Sequence, residues 1–425
     1  MSFNEDPTSS ANLLPLYEGP MTLVPHQGPT LDGIGITELI CGPGTRHLRV
    51  RYKQTSAHQP STFPGSRDGK YGPATTFMRV PSSKDFFVFL TSGFGRNELV
   101  GEARTMTSHE TQVCDYFEVY LLNCLIPITD MTWSFSDWMI SSVRTSCAYD
   151  LTRVSLPTEE LNLTHKLTVS TAARKPFRWS DFASDLNKML LFLSFANCSP
   201  VLAPVVYGYE HGRIQFFRFE APKRSVPTNR RTWATNASQA DLRQALSRFI
   251  VKIENDFWQN ILTRAIEWQV LTDASTYDSD DQALFTVQML LEMLAFVLLV
   301  EDGAVLGEAG YGKLPASDRI TLLCSRTGQS VALRYLWRGG VESQEFCRTN
   351  QIGNVGELIA ALRNKLIHPT KKNREYLDHV PDGLTSLAVY AGLQIASLTI
   401  LNVVDYRGMY YDLVDHETHL VPWLS

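Results

Sequence analysis

Paired cysteines are missing from this sequence. The seven Cys residues (Cys41, Cys114, Cys124, Cys147, Cys198, Cys324 and Cys347) are odd in number and scattered, with no CxxC spacing. That argues against a disulfide framework or a zinc site, and for reduced thiols in a cytosol. Nor is there an excess of positive charge: the formal net charge is −5. A chain that coats nucleic acid over its whole surface is excluded, so any RNA or DNA contact must be local. Residues 1–10 are acidic and polar without an apolar run, so no signal peptide is expected. Internal repeats and low-complexity tracts are absent. Two apolar runs, 284–300 and 384–404, need comparison with membrane spans. The first carries Gln288 and Glu292, the second Gln394, Ser397 and Asn402. Both read as buried bundle helices, and no membrane partner is expected.

What remains is an ordinary globular composition, 44% hydrophobic and 20% charged over 425 residues. That length suffices for two or three domains. Residues 1–238 read as β-rich. Short aromatic and β-branched runs at 47–52, 75–80, 85–90 and 116–124 are separated by turn residues. The loop 64–73 has glycines one position short of a phosphate-binding loop, and Tyr71 stands where a hydroxyl should follow Lys70. One helix interrupts the strands at 179–196, with Ser180 as its N-cap and a stripe of Phe182, Leu186, Met189, Leu190 and Leu193. A hairpin follows, 201–209 with 213–220, turning at His211-Gly212.

Composition shifts at 223–238, rich in Pro, Thr, Asn, Arg and Ser, which marks a domain boundary. Residues 239–425 then read as an all-α bundle. One long helix is expected from Leu242, Ala245, Phe249, Ile253, Phe257, Ile261, Ala265 and Trp268. Tyr277 to Asp281 is a helix N-terminus, not a metal site. The next helix, 282–300, is apolar nearly all round and should lie centrally. Glu292 in its middle needs a cation or a hydrogen bond. It is expected to orient Arg363 or Asn364, the alternative being a salt bridge elsewhere in the bundle or a solvent-facing position. A loop at 303–312, a short helix at 316–324 and a loose excursion at 325–353 carrying Tyr335, Trp337 and Arg338 follow. The closing helix spans 384–404, and the end, with Tyr410, Tyr411 and Trp423, packs on the bundle.

The chemistry concentrates at Arg363-Asn364-Lys365-Leu366-Ile367-His368. Arg and His at this interval can cut a phosphodiester without a metal. Histidine moves protons near neutral pH, and arginine steadies charge on phosphate oxygens. The interval recurs at Arg104/His109 and Arg374/His379, so spacing alone does not single the motif out. Only at Arg363 does Asn follow the Arg on a strong amphipathic helix, with Val355, Leu358, Ile359, Leu362 and Leu366 on one face. At about 100° per residue, Arg363 falls on the rim of that face. Asn364 and His368 form an i, i+4 pair away from it. Pro369 then stops the helix. Lys365, Lys371, Lys372 and Arg374 surround the motif as RNA-binding residues. The competing interpretation is a histidine that merely complements the helix dipole beside a solvated arginine.

A bundle with Glu292 on its second helix and Arg363-Asn364-x-x-x-His368-Pro369 near the end of a later one resembles the HEPN domains over residues 240–425. The resemblance implies a homodimer or higher homo-oligomer in which both motif copies line one RNA-cutting cleft, with no metal or cofactor. It also implies a defence or toxin-type setting in which the β-rich half senses a protein or phage-derived trigger, or docks substrate. Superfamily toxins silenced by a nucleotidyltransferase carry a Tyr two positions after the His. Thr370 stands there, so that regulation is not carried over. A non-catalytic RNA- or protein-binding dimerisation module is the alternative.

Overall fold

The computed structural model describes residues 12–24, 31–42, 45–54, 75–79, 86–93, 98–103, 105–107, 111–145, 163–220, 232–332, 340–368 and 370–424. The loop 64–73, the pair Arg104/His109, Tyr335, Trp337, Arg338 and Pro369 lie outside them. The class is α+β: strands dominate up to residue 220, helices from 239 to 403.

Chain contacts divide the protein into two compact units. One holds residues 1–124, 128–187 and 201–227, the other 125–127, 188–200 and 228–425. In the first, β1 (Asn12–Val24), β2 (Leu31–Gly42), β3 (Thr45–Gln54), β4 (Thr75–Arg79), β5 (Phe86–Gly93) and β6 (Glu98–Ala103) close an antiparallel barrel in the order β1-β2-β3-β6-β5-β4. Next along the chain come β7 (Thr105–Thr107), β8 (Val113–Cys114), β9 (Tyr116–Leu122), β10 (Thr132–Phe135), β11 (Trp138–Arg144), β12 (Leu163–Thr171), β13 (Phe177–Arg178), α1 (Trp179–Asn197, of which residues 188–197 belong to the second unit), β14 (Leu202–Glu210) and β15 (Arg213–Glu220). Seven of these strands form one sheet, β10-β11-β12-β9-β14-β15-β7. Alternation in β10 and β11 sends Trp133, Phe135, Trp138 and Ile140 inward. The β14–β15 hairpin turns at His211 and Gly212, both left-handed (φ 50 and 74), as a two-residue turn between twisted strands requires. Helix α1 starts at Trp179, so Ser180 sits within its first turn, and the Asp181 carboxylate accepts from the Arg178 N–H at 2.9 Å.

The second unit contains α2 (Gln239–Ile253), α3 (Asp256–Ser275), α4 (Asp280–Phe296) with a π-helical turn Val297–Glu301, α5 (Glu308–Tyr311), α6 (Ala316–Arg326), α7 (Gly340–Thr349), α8 (Val355–Ile367), α9 (Lys371–Leu377), α10 (Leu384–Val403) and a hairpin of β16 (Met409–Tyr411) with β17 (Thr418–Leu420). The single long helix expected from Leu242 to Trp268 is two. The Asn255 side chain accepts from the N–H groups of Phe257 and Trp258 and starts a new helix, α3. The buried face shifts with the break: Trp258 is buried, whereas Phe257, counted in the stripe, is 40% exposed. The excursion expected at 325–353 is corrected by α7, whose Phe346 and Cys347 are buried, and the loop at 303–312 contains α5. Helix α4 is central and packs against α3, α6, α8 and α10. Its N-terminus is capped by Ser279, with Asp280 and Asp281 in the first turn.

Two helical segments are long and apolar enough to cross a membrane by length and composition, Asp280–Glu301 and Leu384–Val403. They are 61% and 78% buried inside the fold, the condition of core helices. Two polar residues of the second, Ser397 and Gln394, have partners there. Gln269 Nε2 donates to Ser397 Oγ at 2.9 Å, and Gln394 Oε1 accepts from the Leu413 N–H at 2.9 Å. The C-terminal segment closes on the bundle through Tyr406, fully buried, whose carbonyl accepts from Trp423 Nε1 at 2.9 Å. Among the described residues Cys114, Cys124, Cys198, Cys324 and Cys347 are buried and form no disulfide.

Candidate functional site

Helix α8 sets the site. Asn354 caps its start by accepting from the Glu357 N–H at 2.9 Å, and Val355, Leu358, Ile359 and Leu362 bury its inner face. Gly356 allows the close crossing with α6: a Cβ there would lie 2.8 Å from the Ser317 carbonyl oxygen. With the inner face fixed, Arg363 falls half-buried on the rim, and Asn364 and His368 are exposed. Arg363 Nη1 donates to Asn364 Oδ1 at 3.3 Å, so these two motif side chains touch.

His368 is the C-cap residue of α8 and has left helical geometry (φ −114, ψ 86). Its carbonyl oxygen is held twice, by the Thr370 N–H at 2.7 Å and by Asn373 Nδ2 at 2.7 Å. Thr370 caps α9 by accepting from the Asn373 N–H at 3.3 Å. Asn373 Oδ1 accepts from Lys365 Nζ at 3.2 Å, and the same ammonium lies 5.0 Å above the Tyr376 ring. The backbone at His368 is therefore pinned while its ring makes no hydrogen bond to another described residue. Sequence inspection passes over Asn373 and Tyr376. The Thr370-x-x-Asn373 cap was the available signal for the first. Lys371, Lys372 and Arg374 are exposed on α9, with Lys371 Nζ 3.7 Å from Glu375.

The expectation that Glu292 orients Arg363 or Asn364 is corrected. Glu292 Oε2 accepts from Arg319 Nη1 at 2.9 Å and Oε1 from Gln288 Nε2 at 2.6 Å. The Arg319 guanidinium lies 4.7 Å over Tyr311, whose hydroxyl donates to the Glu292 carbonyl at 2.9 Å. Burial pushes the Tyr311 phenol up to about 12. The half-buried carboxylate takes the arginine on α6, the helix packed against its own, and is occupied by a structural ion pair.

Among the described residues, Asp412, Asp415 and His419 bring potential metal-ligand atoms within 4.8 Å of one another. Hairpin bonds already account for them. Asp412 Oδ1 accepts from the N–H groups of Val414 and Asp415, and His419 Nε2 bonds Asp415 Oδ2 at 2.8 Å. Burial raises the Asp412 carboxyl above the usual range.

Comparison with known proteins places one match on this half of the chain. The family described as YopA C-terminal domain matches residues 255–421, which include every candidate site residue. A protein described as SPbeta prophage-derived uncharacterized protein YopA, from Bacillus subtilis (strain 168), is 22% identical over 267 residues, 61% of this chain and 58% of that protein. The chain thus spans under two thirds of that relative's length. No solved structure matches.

Proposed function

We propose that the protein is a cytoplasmic, metal-independent endoribonuclease, acting as a defence or toxin-type effector, whose site is completed when two copies bring their α8 ends together. The observation that carries this reading is the presentation of Arg363, Asn364 and His368 on the outer side of a helix whose other face is locked in the bundle. The His368 ring, which neither turns inward nor bonds another described residue, is what sets this end apart from a purely structural one. The prophage origin of the relative described above fits such a setting.

In this mechanism His368 accepts the proton of the ribose 2′-hydroxyl as that oxygen attacks phosphorus. The bond from phosphorus to the 5′-oxygen breaks, and that oxygen takes a proton from His368 of the partner subunit. The Arg363 guanidinium neutralises charge on the non-bridging oxygens, and Asn364, bonded to it, sets its direction. Products end in a 2′,3′-cyclic phosphate, or a 3′-phosphate after its hydrolysis. Lys365, Lys371, Lys372 and Arg374 attract the RNA backbone.

The test is incubation of the purified chain with total RNA. Cleavage that persists in EDTA and disappears in both Arg363→Ala and His368→Ala, with folding intact, supports the enzyme. Loss of cutting in EDTA, or equal cutting of DNA, overturns it. A non-catalytic RNA- or protein-binding dimer is the second reading, favoured by one observation: no described side chain of the same copy orients the His368 ring. It predicts RNA that is shifted but not cut.

A further inference from the structure

Beside the corner between α8 and α9 lies an open groove of about 690 Å3. Its walls include Val341, Glu342 and Phe346 of α7, Tyr376 of α9, and His379 and Pro381 beyond it. Tyr376 meets Phe346 edge-on, ring centroids 5.3 Å apart. Tyr376 also carries the Lys365 ammonium, which bonds Asn373, which in turn bonds the His368 carbonyl. An unbroken run of contacts thus joins the groove to the histidine of the candidate site. Val341 stands at the rim, an apolar side chain 80% exposed.

Charge gives the groove a direction. Lys365 of α8 sits against the groove residue Tyr376, while the carboxylates lining the groove are Glu342 and Glu345 of α7. Glu345 is paired with Arg348 at 2.6 Å. Glu342 has no hydrogen bond or ion pair among the described residues. A phosphate must stay on the lysine side, leaving an apolar, aromatic-walled space that ends in a carboxylate acceptor.

We propose that this groove receives an unstacked base of single-stranded RNA that carries an exocyclic amino group, next to the phosphate held at Arg363 and His368. The inference rests on the ribonuclease reading and deepens it. Single-stranded RNA is recognised through bases splayed onto aromatic side chains. A carboxylate accepts from the amino group of cytosine, adenine or guanine, and has no such donor on uracil. Cytosine and uracil have the same ring size and differ along one edge, where the amino group beside an acceptor N3 is replaced by a carbonyl beside an N3–H.

The experiment uses the full chain carrying His368→Ala, so that binding is read without cutting. Fluorescence anisotropy follows labelled rC12 and rU12, and an rC12 bearing one abasic position. The expected result is rC12 bound about tenfold more tightly than rU12. Tyr376→Ala and the abasic site each weaken rC12 about tenfold, Tyr376→Phe leaves it unchanged, and Glu342→Gln narrows the gap between cytosine and uracil. Because Tyr376 packs on Phe346, Val341→Asp at the exposed rim serves as a second variant and weakens rC12 without changing thermal unfolding. RNA bound with equal affinity for rC12 and rU12, indifferent to Tyr376→Ala and Val341→Asp, overturns the base site and leaves the ribonuclease reading standing. No binding of either oligonucleotide, together with wild-type protein that leaves total RNA uncut, overturns both.

Discussion

The sheet unit and the helical unit each contain a histidine that matters, and the two are placed in opposite ways. His165 on β12 is 5% exposed, with Nε2 3.2 Å from Thr129 Oγ1 and a buried Nδ1 that bonds no other described residue. Burial, helped by Arg144, holds its imidazole down at about 4 from an ordinary value of 6.5. His368 ends a helix, exposed, with its backbone fixed and its ring unengaged by described neighbours. The interiors differ as well. The sheet core is aromatic, with Phe117 touching Phe177, Trp179 and Phe216. The helical core around α4 is aliphatic and is crossed by side-chain hydrogen bonds such as Gln329 Nε2 to Thr399 Oγ1 at 3.1 Å. The buried imidazole is held within the fold, and the exposed one on a braced helix end is open to solvent.

The sharpest break in this comparison is kinetic. His368→Ala should lower RNA cleavage by roughly 10²- to 10⁴-fold, the usual worth of a general acid or base. His165→Gln should leave the rate per folded molecule unchanged. Cleavage assays on both variants, normalised by circular dichroism, decide it.

The second test is pH. The folded-state value of His165 lies below that of the unfolded chain, so between pH 6.5 and 4 the unfolded state takes up a proton that the folded state refuses. Stability is therefore full above pH 6.5 and falls as pH drops towards 4, by roughly 3 kcal/mol at full extent. Denaturant unfolding at pH 7 and pH 4.5, followed by tryptophan fluorescence, should show the loss, and His165→Gln should flatten it.

A third, smaller effect belongs to the bundle. A Cβ at Gly392 would meet Val287 Cγ2 at 2.7 Å, where α10 crosses α4. Gly392→Ala should cost about 2 kcal/mol through overpacking, despite the better helix propensity of alanine. Thermal unfolding reads the loss, and Val287→Ala in the same chain should recover part of it.

The smallest effect tests the corrected carboxylate. Arg319→Leu leaves Glu292 half-buried without its cation and should cost about 1 kcal/mol, between exposed and buried pairs. Glu292→Gln should not change cleavage by more than about twofold, since its partners lie on α4 and α6. A large loss of cleavage with normal unfolding would restore a link between Glu292 and the motif.

Much of the helical half was legible because helices announce themselves locally. The stripe from Val355 to Leu362 and the cap at Asn354 are short-range features, and they place His368 at an exposed end without reference to any other helix. The stripe failed at Asn255. Phe257 continues the spacing from Ile253, but the asparagine side chain captures two backbone N–H groups and turns the face by one residue. Glu292 failed for another reason. A lone carboxylate in an apolar run shows that a partner is needed and not which one, and Arg319 stands on a separate helix.

The sequence alone determined the α+β division, the extents of α4, α6, α8 and α10, and the outward set of Asn364 and His368, because hydrogen bonds and periodicity within a few residues are enough for these. Tertiary structure alone decided that Glu292 belongs to Arg319, that Asn373 ties Lys365 to the His368 carbonyl, and that a groove between α7 and α9 opens beside the motif. Those contacts depend on how helices cross, and crossing is set by close approaches such as those at Gly356 and Gly392, whose neighbours lie far along the chain.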